Sequence, residues 1–170
     1  MIRNLSQLSG KTIRISQPSI WKNNFELKYD EELLGKVRAK SVFRSNLIIN
    51  LFENEWEIYS PKFWKSEIAV REKGRENPFA TYDKKLFSRE GTVFLPKGQR
   101  LKIKFGLIRG KYGVYTTSGT SLVTINDLIS FKANTQIYIE TNSEFLDKYP
   151  WVIILAWYLT RKRKQAAAAG

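Results

Sequence analysis

The chain has 170 residues with no cysteine and no histidine, so it has no disulfide, no thiolate nucleophile, no zinc site of the Cys/His kind and no imidazole base. Hydrophobic residues make up 42% and aromatic residues 14%, which indicates one packed globular domain for which we expect no metal and no cofactor. The net charge of +13 favours anionic partners, namely nucleic acid, anionic lipid headgroups or acidic proteins.

The N-terminal segment MIRNLSQLSGKTIRIS contains no apolar stretch of the length found in signal peptides. This absence predicts a cytoplasmic protein. If the anionic partner is a lipid, we expect the protein to be peripheral to the membrane.

Short runs in which apolar and polar residues alternate follow one another as far as residue 141, and turn residues separate them. About a dozen strands spaced by about 8–12 residues are typical of an all-β barrel or sandwich. In chain order the runs are KTIRIS, NFELKY, ELLGKVRAKSVF, NLIINLF, EWEIYS, SEIAVRE, PFATYDK, GTVFLP, RLKIKFG, YGVYTT, TSLVTI, LISFKA and TQIYIET.

Two of these runs each place a row of positive side chains on one strand face, because successive side chains of a strand point to opposite sides. Such rows keep strands from pairing with other chains and keep the protein soluble. They would instead form a binding face for an anionic ligand if the two strands were neighbours. The rows are Lys36, Arg38 and Lys40 in GKVRAK, and Arg100, Lys102 and Lys104 in RLKIKF.

The C-terminal segment DKYPWVIILAWYLTRKRK contains an apolar run, Trp151 to Leu159, that is too short to span a membrane. As a helix the run rises about 14 Å, whereas a bilayer core is about 30 Å thick and needs about 20 apolar residues. Charged residues flank it on both sides, so we predict no transmembrane span. They are Asp147 and Lys148 before the run, and Arg161, Lys162, Arg163 and Lys164 after it.

The same run has the features of a buried helix. Ser143 is a candidate N-cap, Pro150 suits a first turn, and the four basic residues complement the dipole where the helix emerges into water. A helix that is apolar on all sides must be surrounded by protein, and a barrel of about twelve strands is too wide for its own side chains to fill. We therefore predict a mainly β protein, a closed antiparallel barrel around a central C-terminal helix. It forms one domain over residues 1–164, with a frayed tail over 165–170.

Three segments, FELKYDEELLGKVRAKS, TSLVTINDLISFKANTQIYIE and YPWVIILAWYL, resemble the tubby C-terminal-like superfamily, and most closely its LURP-one-related and phospholipid scramblase-like members. The resemblance implies a twelve-stranded barrel around a central helix and no shared catalytic machinery. Tubby domains bind phosphoinositides through Lys and Arg, and scramblases act at membranes. The chain departs from both groups, because it has no position-by-position match to the tubby residues, no Cys-rich stretch and no acidic calcium loop.

The best candidate for enzyme chemistry is a carboxylate pair, Glu55 and Glu57, which alternation places about 7 Å apart on one strand face. Two glutamates that flank an inward Trp56 are more typical of a solvated face. No glycine-rich phosphate loop with Walker spacing is present. We therefore expect a protein that is not an enzyme.

Three kinds of binding remain open. Anionic lipid headgroups or phosphoinositides would use the two basic rows and the four basic residues after the apolar run. Nucleic acid would use the same charge, with Tyr59, Tyr115 or Tyr138 as stacking platforms. A protein partner is the third alternative.

Overall fold

A computed structural model describes residues 1–19, 21–40, 46–61, 67–85, 87–106, 111–127 and 134–170. Twelve strands are followed by two helices, α1 (Glu144–Lys148) and α2 (Trp151–Ala168). The strands are β1 (Thr12–Ser16), β2 (Asn24–Tyr29), β3 (Glu32–Ala39), β4 (Asn46–Leu51), β5 (Asn54–Tyr59), β6 (Ile68–Glu72), β7 (Ala80–Asp83), β8 (Glu90–Phe94), β9 (Arg100–Phe105), β10 (Lys111–Thr116), β11 (Ser121–Asp127) and β12 (Asn134–Ile139).

Each strand pairs antiparallel with the next along the chain, and β1 pairs with β12 to close the barrel. The pairing of Ile13 with Ile137 and of Ile15 with Leu27 continues the inward-facing row across the closure. The predicted closed antiparallel barrel is confirmed. The candidate strand LISFKA, residues 128–133, lies outside the described residues.

The apolar part of α2 is enclosed by the barrel. Residues Trp151 to Trp157 are at most 1% exposed. The helix contacts β4 on one side and β10 and β11 on the other, and these strands lie far apart around the barrel. The predicted central helix is therefore confirmed, and no described helix is long and apolar enough to cross a bilayer.

The helical region differs from the prediction at both ends. It is broken at Tyr149, whose φ of −127° and ψ of 55° are not helical, and Pro150 precedes α2 as its N-cap. The break follows from the ring of Pro150, which disfavours a helical conformation in the residue before it. Ser143 does precede α1, but its side chain makes no capping hydrogen bond. At the other end α2 continues to Ala168, so most of the tail that was expected to be frayed is helical.

One close approach inside the barrel depends on a glycine. Gly91 of β8 is buried, and a Cβ atom there would overlap the ring of Tyr82 on the neighbouring strand β7. The phenol ring therefore occupies the space that any other residue at 91 would need. Burial, together with the nearby Asp83, raises the pKa of Tyr82, so its hydroxyl stays protonated.

A polar network ties α2 to the wall. The indole N–H of Trp157 donates to Thr135 Oγ1 at 3.1 Å, and the Thr135 hydroxyl donates to Asp127 Oδ1 at 2.6 Å. Lys164 Nζ lies 2.8 Å from Asp127 Oδ2 and donates to the Asp127 carbonyl at 3.1 Å. The network fixes the rotation and depth of the helix, because these groups are buried or partly buried and leaving one unpaired is costly.

Ending the chain at Lys148 removes α2 and leaves a lumen that the strand side chains cannot fill. We expect the truncated chain to lose near-UV circular dichroism, to bind ANS and to unfold without a cooperative transition. A soluble truncated chain that unfolds cooperatively would show that α2 is not the core.

Thr135→Val removes the hydroxyl that links Trp157 to Asp127 while keeping the side-chain volume. We expect the free energy of unfolding to fall by about 1–3 kcal/mol, because the buried indole N–H loses its acceptor. Thr135→Ser keeps the hydroxyl and is the matched control in the same urea titration. An equal loss in Thr135→Ser, which keeps the hydroxyl, would show that the hydrogen bond is not the source of the effect.

Candidate functional site

The order of the strands determines which connections share an end of the barrel. In a barrel whose consecutive strands are antiparallel, the connections after odd-numbered strands lie at one end and those after even-numbered strands lie at the other. We call these ends of the barrel the odd end and the even end. Because α2 follows β12, it enters at the even end and its C-terminus emerges at the odd end. The contact of Phe79 with Trp151 at one end and of Phe25 with Trp157 at the other agrees with this direction.

The odd end gathers positive charge. The described parts of its connections contain Glu67 as their only acidic residue. We call the Lys and Arg residues in the described parts of these connections and at the α2 C-terminus the basic rim. They are Lys22, Lys40, Lys84, Lys85, Arg89, Arg161, Lys162, Arg163 and Lys164.

The basic residues of α2 are partly held against the barrel, whereas the sequence predicted that they emerge into water. The Arg161 guanidinium lies over the rings of Phe25 at 5.1 Å and Trp157 at 5.5 Å. Burial lowers the pKa of Arg161, and the charge of Asp127 opposes this effect. Arg163 lies over the Phe105 ring at 5.1 Å and is exposed. The α2 C-terminus is therefore a fixed positive group in the middle of the basic rim.

The even end carries charges of both signs. A cavity of about 790 Å³ lies there, between the β4–β5 turn and the α1–α2 junction. Its lining includes the ion pair of Lys73 Nζ with Glu55 Oε2, at 2.7 Å, beside the aromatic side chains of Trp56 and Tyr149. The mixed charge gives this end no preference for anions.

The two predicted basic rows do not meet. Strand β3 carries Lys36 and Arg38, β9 carries the second row, and the two strands are six positions apart in either direction around the barrel. They therefore lie on opposite walls. Lys40, just beyond β3, shares the odd end with Arg161, Lys162, Arg163 and Lys164. Arg38 and Lys104 lie near that end, because they pair with Asn24 and Glu90, the first residues of β2 and β8.

Neighbouring side chains already engage the row on β9. Arg100 lies over the Phe94 ring at 5.3 Å, and Lys102 Nζ is 3.1 Å from Glu90 Oε1 and 3.0 Å from Thr92 Oγ1. Lys104 lies over the Tyr115 ring at 5.0 Å, at the edge of a groove of about 630 Å³ on the barrel wall. These contacts indicate that the β9 row stabilises the wall, and binding of an anion by it stays a prediction.

The two glutamates considered for catalysis are ion-paired. Glu57 is 6% exposed, and its carboxylate contacts Arg71 at 2.8 Å and Lys40 at 3.4 Å. Burial by itself would raise the pKa of Glu57, but hydrogen bonds from Arg71, Asn46 and Lys40 outweigh it and hold the pKa below its usual value. Glu55 pairs with Lys73, and the hydrogen bond from that ammonium lowers its pKa. Both carboxylates are therefore ionised, and the neighbouring lysine and arginine side chains neutralise their charge.

The proposed stacking tyrosines are dispersed. Tyr59, Tyr115 and Tyr138 lie on or at the ends of β5, β10 and β12, which are not adjacent. Tyr59 is covered by the Arg71 guanidinium at 4.4 Å, and Tyr115 by Lys104. They do not form a continuous platform for successive bases.

Sequence reasoning missed four of the nine residues of the basic rim. Lys22, Lys84, Lys85 and Arg89 stand in connections between strands, not on strand faces, so alternation does not select them. A usable signal was nevertheless present. Numbering the predicted strands shows that these connections follow odd-numbered strands and therefore share one end of the barrel. A helix that follows the twelfth strand must emerge at that same end.

A solved structure similar to this chain is the X-ray structure of a protein from Arabidopsis thaliana. It matches with a TM-score of 0.57 and 12% sequence identity, over 92% of this chain and 94% of that one. No family model matches the chain, and no curated protein matches it in sequence. At this identity the match shows a shared barrel fold, and membership of the tubby-like superfamily stays a prediction.

Glu57→Gln tests the ion-paired cluster on the wall. We expect the variant to be about 1–2 kcal/mol less stable at neutral pH, because Arg71 loses its charged partner. Since the folded-state pKa of Glu57 is lowered, its contribution is present above the unfolded pKa and is lost as the pH falls through the folded pKa. In urea titrations the difference between the two proteins should therefore begin to shrink as the pH falls below the unfolded pKa of about 4.3, and it should vanish below the lower folded pKa. A constant difference at all pH values would contradict an electrostatic origin.

Proposed function

We propose that this protein is a non-enzymatic domain that docks on anionic membrane surfaces through the basic rim. The observation that carries the proposal is the segregation of charge between the two ends of the barrel. The basic rim gathers the residues of several connections and the α2 C-terminus, whereas the even end is mixed. A surface with one sign of charge attracts a surface of the opposite sign more strongly than scattered charges do.

The shape of the basic rim favours a flat partner. Twelve strands about 4.8 Å apart and tilted by about 40° form a barrel about 24 Å wide, so its end is a broad disc. A lipid bilayer presents anionic headgroups across such an area. Single-stranded nucleic acid is bound in a groove with successive stacking platforms, and the dispersed tyrosines do not supply them.

Three residues of the basic rim are suited to a test because no described neighbour engages their charged groups: Lys22, Lys85 and Arg89. We expect the combined variant Lys22→Gln, Lys85→Gln and Arg89→Gln to bind about 100-fold more weakly to vesicles of phosphatidylcholine containing about one-third phosphatidylserine. Each basic residue near such a surface contributes about 1 kcal/mol. Sedimentation at low and high salt measures the loss, and the wild type should bind only at low salt.

The matched control removes the same number of charges from the wall. Arg14→Gln, Lys36→Gln and Arg100→Gln alter exposed residues of β1, β3 and β9, so the net charge falls equally. We expect this control to bind within about threefold of the wild type at equal salt. Equal losses in the two triple variants would show that net charge, and not the basic rim, attracts the vesicles.

Nucleic acid is tested in parallel by fluorescence anisotropy with single-stranded and duplex oligonucleotides. Salt-sensitive binding to oligonucleotides without binding to anionic vesicles would overturn the lipid proposal in favour of nucleic acid. Failure to bind either would leave a protein partner as the ligand of the barrel.

A further inference from the structure

Two aromatic side chains at the odd end are almost fully exposed. Trp21 is 90% exposed and Phe87 is 95% exposed, whereas no other aromatic side chain of the described residues exceeds 38%. Burial in the barrel would remove a large apolar area from water, so leaving both rings in solvent is unfavourable for an isolated domain. Both rings therefore offer apolar area that a partner at this end of the barrel would bury.

The two rings stand on opposite sides of the basic rim. Trp21 lies in the connection between β1 and β2, and Phe87 lies in the connection between β7 and β8. These connections are six strand positions apart in either direction around the barrel, which places them about 24 Å from each other across the disc. The C-terminal part of α2 emerges between them.

Basic residues adjoin both rings. Lys22 follows Trp21, and Phe87 stands between Lys85 and Arg89. Phe87 also has a φ of 62°, a left-handed conformation that is rare for a bulky residue. An aromatic ring beside a positive charge matches the interface of a bilayer, where the ring enters the boundary of the acyl chains and the charge meets the headgroups.

We infer that Trp21 and Phe87 are interfacial anchors that hold the barrel upright on an anionic bilayer, with the barrel axis along the membrane normal. This inference rests on the proposed docking through the basic rim and specifies its orientation. A single anchor would leave the barrel free to tilt toward that side. Two anchors across the disc oppose tilting along the line that joins them, and Lys40, in the β3–β4 connection to one side of that line, opposes tilting about it.

The absence of cysteine from the chain allows each position to be probed singly. Trp21→Cys, Phe87→Cys and Lys97→Cys are labelled with the environment-sensitive fluorophore NBD, and Lys97 lies in the β8–β9 connection at the even end. On vesicles of phosphatidylcholine and phosphatidylserine we expect blue-shifted emission at 21 and 87, with quenching by doxyl lipids, and no change at 97. Insertion of only one probe, or of the probe at 97, would overturn the upright orientation.

Alanine variants measure what the anchors contribute to affinity. We expect Trp21→Ala and Phe87→Ala each to weaken binding to these vesicles about tenfold with an unchanged dependence on salt, because they remove apolar and not charged contacts. Tyr138→Ala, which changes a half-exposed aromatic residue on the β12 wall, is the control and should bind like the wild type. Soluble glycerophosphoserine, which has the headgroup without acyl chains, should not displace the protein.

The possible failures are distinguishable. If the wild type binds anionic vesicles with the expected salt dependence but the probes at 21 and 87 stay in water and both alanine variants bind normally, the anchors are wrong and the docking stands. Displacement by glycerophosphoserine would assign recognition to the headgroup alone and would also overturn the anchors. No binding by the wild type would overturn the docking and the anchors together.

Discussion

The structure depends on one packing constraint, which is that a twelve-stranded barrel has to be filled. Its lumen is wider than the inward side chains can occupy, and the enclosed part of α2, Trp151 to Trp157, supplies the missing apolar volume. Close packing then determines the rest of the interior, including the approach of Tyr82 to Gly91. The strands without the helix would surround a void, and the helix without the strands would expose apolar side chains on every side.

The same constraint determines where the charge lies. An even number of strands returns the chain to the end from which β1 starts, so α2 enters there and its basic C-terminus emerges at the other end. The ion pair of Lys164 with Asp127 and the stacking of Arg161 on Phe25 hold that terminus in place. The positive centre of the basic rim is thus a consequence of how the core is packed.

Charge on the wall and charge at the rim have different surroundings. On the wall, strand pairing brings opposite charges together, as Glu57 with Arg71 and Lys102 with Glu90 demonstrate. Such pairs contribute modestly to stability and leave little free charge for a ligand. At the odd end Lys40 and Lys164 are also paired, with Glu57 and Asp127. The connections there carry almost no acidic residues, however, and no described neighbour engages the charged groups of Lys22, Lys85 and Arg89 beside Trp21 and Phe87. This difference is why the docking proposal concerns the end of the barrel and not its wall.

The sequence by itself determined the strands, the closed barrel and the buried helix, because alternation with period two and an apolar run of limited length are local patterns that burial imposes directly. The sequence predicted Pro150 as a residue of a first helical turn but did not predict the break at Tyr149, because the effect of the proline on Tyr149 depends on the local backbone. Which basic residues share a surface was decided by the closure of the barrel, which alternation within single strands does not show. Lys36 and Lys102 have equivalent patterns in the sequence but lie on opposite walls, whereas Lys22 and Arg89, far apart in the chain, share one end because barrel closure brings alternate connections together.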